Sequence, residues 1–377
     1  MVINSKSIYT PILKWKAAEM GALHDLRLSQ KDNVLPLFEL VPPQLSKKDE
    51  KNGITIREKL MQKSILSIPQ DILFNWGDGR IFFADFTLIP LQKDLRITFA
   101  EELCKNAALL HLEFIPVINL TADNNEFGES MVGISKKYSL SQICIRVNNI
   151  ELRDINEVNS IIDYFINNSG FNYSNINLLI DLKENVNTND YRHAYNSIKQ
   201  INSIASFNRL ILAGGAFPID MSQFKQDEYN QQNRDDWLGW LSHASDGIER
   251  VPIYADYTIR HPVYNENVLS YKSTATIKYT LPDKWNFYKG GVGQYEHYLA
   301  NASLLCKHSD FKQFGAQFSA GDKFIDEKGQ YFAGYIKQKN KNPEGKHGGT
   351  GNTTQWLRAG INHHIAVVVD QLAKLND

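Results

Sequence analysis

The chain lacks most of the features that announce a function. Its three cysteines, Cys104, Cys144 and Cys306, are too widely spaced and odd in number for a disulfide framework or a CxxC metal or redox centre. No apolar stretch approaches the roughly 20 residues that a membrane helix requires. No secretory leader is recognisable before the first strand-like run, so a cytoplasmic protein without a membrane span is expected. A formal net charge of −1 gives no whole-protein signal for nucleic acid or a membrane surface. The motifs HExxH, GxSxG and GxGxxG and any zinc-ligand spacing are missing. Segment 337–352 (KQKNKNPEGKHGGTGN) gathers Lys337, Lys339, Lys341, Lys346 and His347 among glycines, but it lacks GxxxxGK[ST] and a preceding strand, so it reads as a mobile surface loop.

What the sequence does contain is a rhythm. Eight short apolar runs occupy 9–16, 34–41, 80–86, 114–121, 143–148, 177–183, 209–215 and 251–257. Runs of this length, separated mostly by helix-length segments, read as parallel strands buried on both faces. Segments 96–112, 156–167 and 191–204 carry apolar residues at helical spacing, with Phe99, Leu103, Ala107 and Leu110 on one face of the first. Segment 235–241 opens another helix, whose Trp237 and Trp240 read as packing against the strands. The fold expected is an α/β TIM-like (β/α)8 barrel over 1–262.

Residues 263–377 leave that rhythm. Alternation over 274–280, a turn at 281–284 and the run 285–289 predict a β-hairpin, followed by a helix over 294–308 and a turn around Gly321 and Asp322 in 318–325. Asn352 or Thr353 is placed to cap a helix through 356–372. This part is expected to form a C-terminal α+β extension or cap.

Barrels of this type do their chemistry where the carboxyl ends of the strands meet. The residues there are Lys14, Glu39, Asp85, Asn119, Arg146, Asp181, the pair Gly214 and Gly215, and Asp256. Alternation gives Glu39 the facing of Leu37, Asp85 that of Phe83, Asn119 that of Val117 and Asp181 that of Leu179. Apolar members would then fill the barrel and polar ones would rim its mouth. Converging charges need pairing with each other, a metal or a ligand. Glu39, Asp85, Asp181 and Asp256 would suit Mg²⁺ or Mn²⁺, whose preferred ligands are oxygen. Lys14 and Arg146 would take anionic oxygens, Asn119 would orient substrate, and the Gly pair would let a ligand approach the backbone. Arg260 and His261 follow the last strand, His261 as acid or base and Arg260 as an anion ligand. Arg358 lies in the first turns of the final helix, where an anion is also favoured. The adjacent His363 and His364 cannot share a metal as an i, i+4 pair would; one is expected to be buried and the other to face the site. A self-satisfied ring of ion pairs without metal remains the alternative.

The stretches Tyr9-Thr-Pro-Ile-Leu-Lys14-Trp-Lys16 with Glu19 and Leu23, Pro36-Leu-Phe-Glu39, Asp256-Tyr257, Arg260-His261-Pro262, Phe318-Ser-Ala-Gly-Asp322, Trp356-Leu-Arg358 and His363-His364 resemble the phage beta-protein family over nearly the whole chain. That resemblance implies phage or prophage biology and phage-host conflict, without a reaction. Two functions are carried forward. One is a metal-dependent phosphodiesterase or nucleotide hydrolase with Lys14, Asp181, Asp256 and His261 catalytic, in which Asp181→Asn abolishes activity and leaves the fold intact. The other is a non-catalytic factor that binds a small anionic ligand or a protein partner, the latter through the hairpin near Trp285 and the lysine-rich loop.

Overall fold

A computed structural model describes residues 8–120, 124–184, 186–244, 247–264, 274–345 and 347–375. Eight parallel strands close into a barrel, and each corresponds to one of the eight apolar runs. They are β1 (Thr10–Lys14), β2 (Leu37–Glu39), β3 (Phe82–Asp85), β4 (Phe114–Asn119), β5 (Ile143–Asn148), β6 (Ile176–Glu184), β7 (Arg209–Gly215) and, after an outlying β8 (Asn230–Asn233), β9 (Ile253–Asp256). Thr121, the expected end of the fourth run, lies outside the described residues.

The register determines what meets at the mouth. Lys14 lies opposite Glu39, Glu39 opposite Asp85, Asp85 opposite Val117, and Val117 opposite Cys144. Four residues further along β5, Asn148 continues through Asp181, Ala213 and Ala255 to Thr10, four residues before Lys14. The circuit therefore closes with a shear of eight, the value of (β/α)8 barrels. Inside lie Ile12, Leu37, Phe83, Ile115, Val117, Cys144, Leu179, Ile211, Ala213 and Ala255, a packed plug that supports everything above it.

Helices Lys93–Leu109, Ile155–Ser169, Thr188–Ile198 and Asp235–His243 fill the expected connections. Phe99, Leu103 and Ala107 are buried against the strands, as their spacing requires. Trp237 and Trp240 stack at 5.5 Å and meet Tyr254 edge-on, which makes them barrel packing.

The C-terminal part is stitched into the barrel. The hairpin β10 (Thr274–Thr280) and β11 (Lys284–Val292) forms as expected, but β8 pairs with the other edge of β11, so the sheet takes one strand from the barrel region. Trp285 is fully buried and meets Phe217 edge-on, so its ring belongs to the core. Two expectations fail here. The turn around Gly321 and Asp322 is the start of the helix Ala320–Lys341, capped by Ser319. That helix carries Lys337, Lys339 and Lys341, so the expected loop begins only after them; Lys346 lies outside the described residues. The last helix, Thr353–Lys374, is capped by Asn352 and packs on helix Ala17–His24. A Cβ on Gly21 would lie 2.7 Å from the Arg358 side chain, so glycine sets that approach. Among the described residues no helix is long and apolar enough to cross a membrane.

Candidate functional site at the barrel mouth

Three strand-terminal aspartates build their own turns. Asp85 accepts from the Thr87 amide at 2.8 Å, Asp181 from the Lys183 amide at 2.9 Å and Asp256 from the Thr258 amide at 2.8 Å. A carboxylate that binds the amide two residues on turns the backbone there, ending β3 and β9 and breaking the register of β6, which runs on to Glu184. Lys183 and Thr258 are in fact left-handed, with φ of 61° and 58°.

Two of these aspartates also join a buried ion cluster centred on Arg146. Its Nε and Nη2 reach Asp181 Oδ2 at 2.9 and 2.6 Å, Nη1 reaches Asp85 Oδ2 at 2.5 Å, and Nη2 reaches Glu39 Oε1 at 3.0 Å. The Tyr257 hydroxyl accepts from Nη2 at 2.7 Å and donates to Asp181 at 2.7 Å. Asn119 donates to the Thr87 hydroxyl at 2.6 Å, beside Asp85. Lys14 lies 3.6 Å from Glu39 and donates to the carbonyls of His261 and Pro262 at 3.2 and 2.8 Å. Lys183 lies 3.0 Å from Asp181 and remains 40% exposed, so it forms the solvent side of the cluster. Three cations thus offset three carboxylates. Such balance is required where Arg146 is 2% exposed and Asp181 fully buried.

The pairing shifts the titrations. Burial pushes the Asp181 carboxyl up, but Lys183 and Arg146 outweigh it and hold the group well below the carboxylate range. Asp85 is likewise held low, with Arg146 and Thr87 overcoming burial. Burial would lower Arg146, yet Tyr257 and its three carboxylates raise it. Lys14 falls below its ordinary value because burial outweighs Glu39.

The structure brings together Lys14, Glu39, Asp85, Asn119, Arg146 and Asp181, with His261 at the rim, Nε2 3.9 Å from Glu184. It separates the others. Asp256 points outward from the barrel, where Tyr9, Tyr254 at 2.8 Å and His364 at 2.9 Å hold it. The space beside Gly214 is taken by Tyr191 and that beside Gly215 by Pro262 and Tyr257, leaving no room for a ligand against the backbone. Arg260 stays beside the mouth, close enough to act on Lys14, but is taken up by buried Glu19 at 3.2 Å, and Arg358 forms a two-pronged bond with Asp25 at 2.6 and 2.5 Å. Both His363 and His364 are fully buried on carboxylates, Asp322 and Asp256, and neither faces the mouth.

The expected Mg²⁺ or Mn²⁺ does not fit the ring. Glu39, Asp85 and Asp181 all turn an oxygen to the guanidinium that stands where a cation would. Among the described residues no group of three or more His, Cys, Asp or Glu is arranged to hold a metal ion. The sequence reading missed Thr87, Lys183 and Tyr257, although the same alternation, carried two residues past Asp85, Asp181 and Ala255, leads to each.

The fold and site define a (β/α)8-barrel protein whose carboxyl-end mouth is floored by a buried, charge-balanced ion cluster. The chain belongs to the phage beta-protein family: the family described as Beta protein matches residues 9–370, nearly the whole chain. No curated protein matches it.

Proposed function

We propose that the chain binds a small phosphorylated ligand, a nucleotide or phosphodiester, across the barrel mouth, with Lys183 as the first contact for its anionic oxygens. The observation that supports this best is the state of Lys183: left-handed at φ 61°, held over the buried cluster, and still part-exposed. Left-handed backbone costs an ordinary residue roughly 1 kcal/mol, and such strain gathers at ligand sites. The ammonium balances the third carboxylate of the cluster beneath, and Asp181 at 3.0 Å keeps it in place without a ligand.

His261 and Glu184 supply the reactive side of this proposal. Burial lowers the imidazole, and Glu184 only partly restores it, so His261 is neutral near pH 7 and able to accept a proton from water attacking a bound phosphate. A divalent ion enters this reading on the ligand's phosphates. Glu184 Oε2, which has no hydrogen-bond partner, is the rim carboxylate that would meet it. The setting proposed with it is phage-host conflict in the cytoplasm.

The test is a thermal-shift screen of wild type and Lys183→Asn against nucleotides, short nucleic acids and phosphosugars, with and without Mg²⁺ or Mn²⁺. Asn tolerates the left-handed backbone while removing the charge. A ligand that raises the wild-type midpoint and leaves Lys183→Asn unmoved is expected. Equal shifts in both proteins, or none in either, would overturn the proposal. His261→Ala separates catalysis from binding: it should keep the shift and lose any turnover.

A further inference from the structure

Lys278 is a cation that the cluster around Arg146 does not use. It belongs to β10, outside the barrel, yet its amine end reaches the loop that follows β7 and lies near charges of the loop after β9 and of the helix Ala17–His24. Its Nζ lies 4.7 Å from the centre of the Phe217 ring, just past β7, and its charged neighbours are Arg260, past β9, and Glu19, past β1. Among the described residues no carboxylate is within ion-pair distance of Nζ and no acceptor takes a hydrogen bond from it. Glu19 is 1% exposed and neither of its oxygens has a hydrogen bond; Oε1 lies 3.2 Å from Arg260 Nε. Two cations therefore share one buried carboxylate, and Arg260 has the nearer claim.

Reactive lysines arise where an amine is desolvated against apolar groups or placed beside a second cation. Lys278 has both conditions. We propose that Lys278 is a carbonyl-reactive amine at the barrel mouth, taking a small aldehyde or ketone as an imine. Burial and Arg260 bring its pKa down to about 7, which agrees with the geometry. The residue as a whole is half-buried. The free pair on Nζ attacks the carbonyl carbon and a C–N bond forms. The carbonyl oxygen then leaves as water, both of whose protons come from the amine. This inference does not depend on an anion binding over Lys183.

The test uses the full chain at pH 7.4 with limiting propionaldehyde and sodium cyanoborohydride, which supplies hydride and fixes the imine as a secondary amine. Peptide mass spectrometry follows each lysine over time. Lys278 should be modified at least about tenfold faster than Lys105, a surface lysine 3.3 Å from Glu102, and Lys278→Arg should remove the fast site alone. A rate at Lys278 equal to or below that at Lys105 would overturn the proposal, and this comparison within wild type needs no variant to fold.

Discussion

Arg146 and Asp181 meet side-on across the barrel mouth, with Nε and Nη2 converging on one carboxylate oxygen at 2.9 and 2.6 Å. The arrangement holds the guanidinium flat, so that its remaining edge faces Asp85 and Glu39. Removing one partner from a buried pair costs about 3–5 kcal/mol, because the other is left charged and uncompensated. Arg146→Met and Asp181→Asn should each lose about that much in urea denaturation. The double variant should lose less than the two together, since each single change strands what the other removes. Asp181→Asn is therefore expected to weaken the fold as well as the site. Single variants within about 0.5 kcal/mol of wild type would mean that the cluster is not a structural floor.

Asp236 poses the opposite case. It is buried near Asp256, and burial followed by that neighbour's charge raises its pKa to about 7. Its folded-state value lies above its unfolded one, so the folded protein carries a penalty that grows as pH rises from about 4 to 7. Asp236→Asn keeps an acceptor for the Trp237 amide, which Asp236 now meets at 2.8 Å, while removing the charge. The variant should be more stable than wild type at pH 8, by on the order of 2 kcal/mol. The gain should shrink as pH falls to 5. A variant less stable than wild type at pH 8 would show that the charge is needed where it lies.

Acid should act through the other aspartates. Asp85, Asp181 and Asp322 are held below the carboxylate range, and Asp256 at about 2, where His364 and Tyr9 outweigh burial. Depressed carboxyls contribute stability above their unfolded value of about 4 and lose it as pH falls through that value toward the folded one. The thermal midpoint should therefore drop steeply between about pH 4 and 2. A midpoint unchanged across that window would contradict the pairing.

Much of this was legible from alternation alone. Leu37 before Glu39, Phe83 before Asp85 and Leu179 before Asp181 told which strand ends face inward, and the barrel interior follows them. The same rule, applied to Asp256, leads back to Tyr254, which packs outside the barrel against Trp237 and Trp240, so its outward facing was also readable. What periodicity could not supply was pairing: it collected cations and carboxylates at one mouth without showing that Arg146 stands among three of them. The helix Ala320–Lys341 was hidden for a different reason. Gly321 and Asp322 look like turn residues, but Asp322 accepts from the Ser319 hydroxyl in the cap, and a Cβ on Gly321 would lie 2.1 Å from the Ala359 carbonyl oxygen. Close helix contact, invisible in a local pattern, determines the glycine.

The two adjacent histidines should differ in charge. His363 places Nε2 2.8 Å from the Thr280 carbonyl and Nδ1 2.8 Å from Asp322. Both partners are acceptors, so both ring nitrogens must carry hydrogen, giving a buried imidazolium stacked on Tyr279 at 4.0 Å. His364 donates from Nε2 to Asp256 at 2.9 Å, while its Nδ1 meets the Thr280 hydroxyl at 3.0 Å, which can donate to it. Burial lowers the His364 pKa and Asp256 only partly restores it, so this ring is neutral with its hydrogen on Nε2. Nitrogen-15 spectra at pH 7 should show two protonated nitrogens for one ring and one protonated with one bare nitrogen for the other, assigned by His363→Gln and His364→Gln. Two neutral rings would mean that Asp322 holds the proton instead, and that the last helix is joined to the helix Ala320–Lys341 by a neutral hydrogen bond in place of an ion pair.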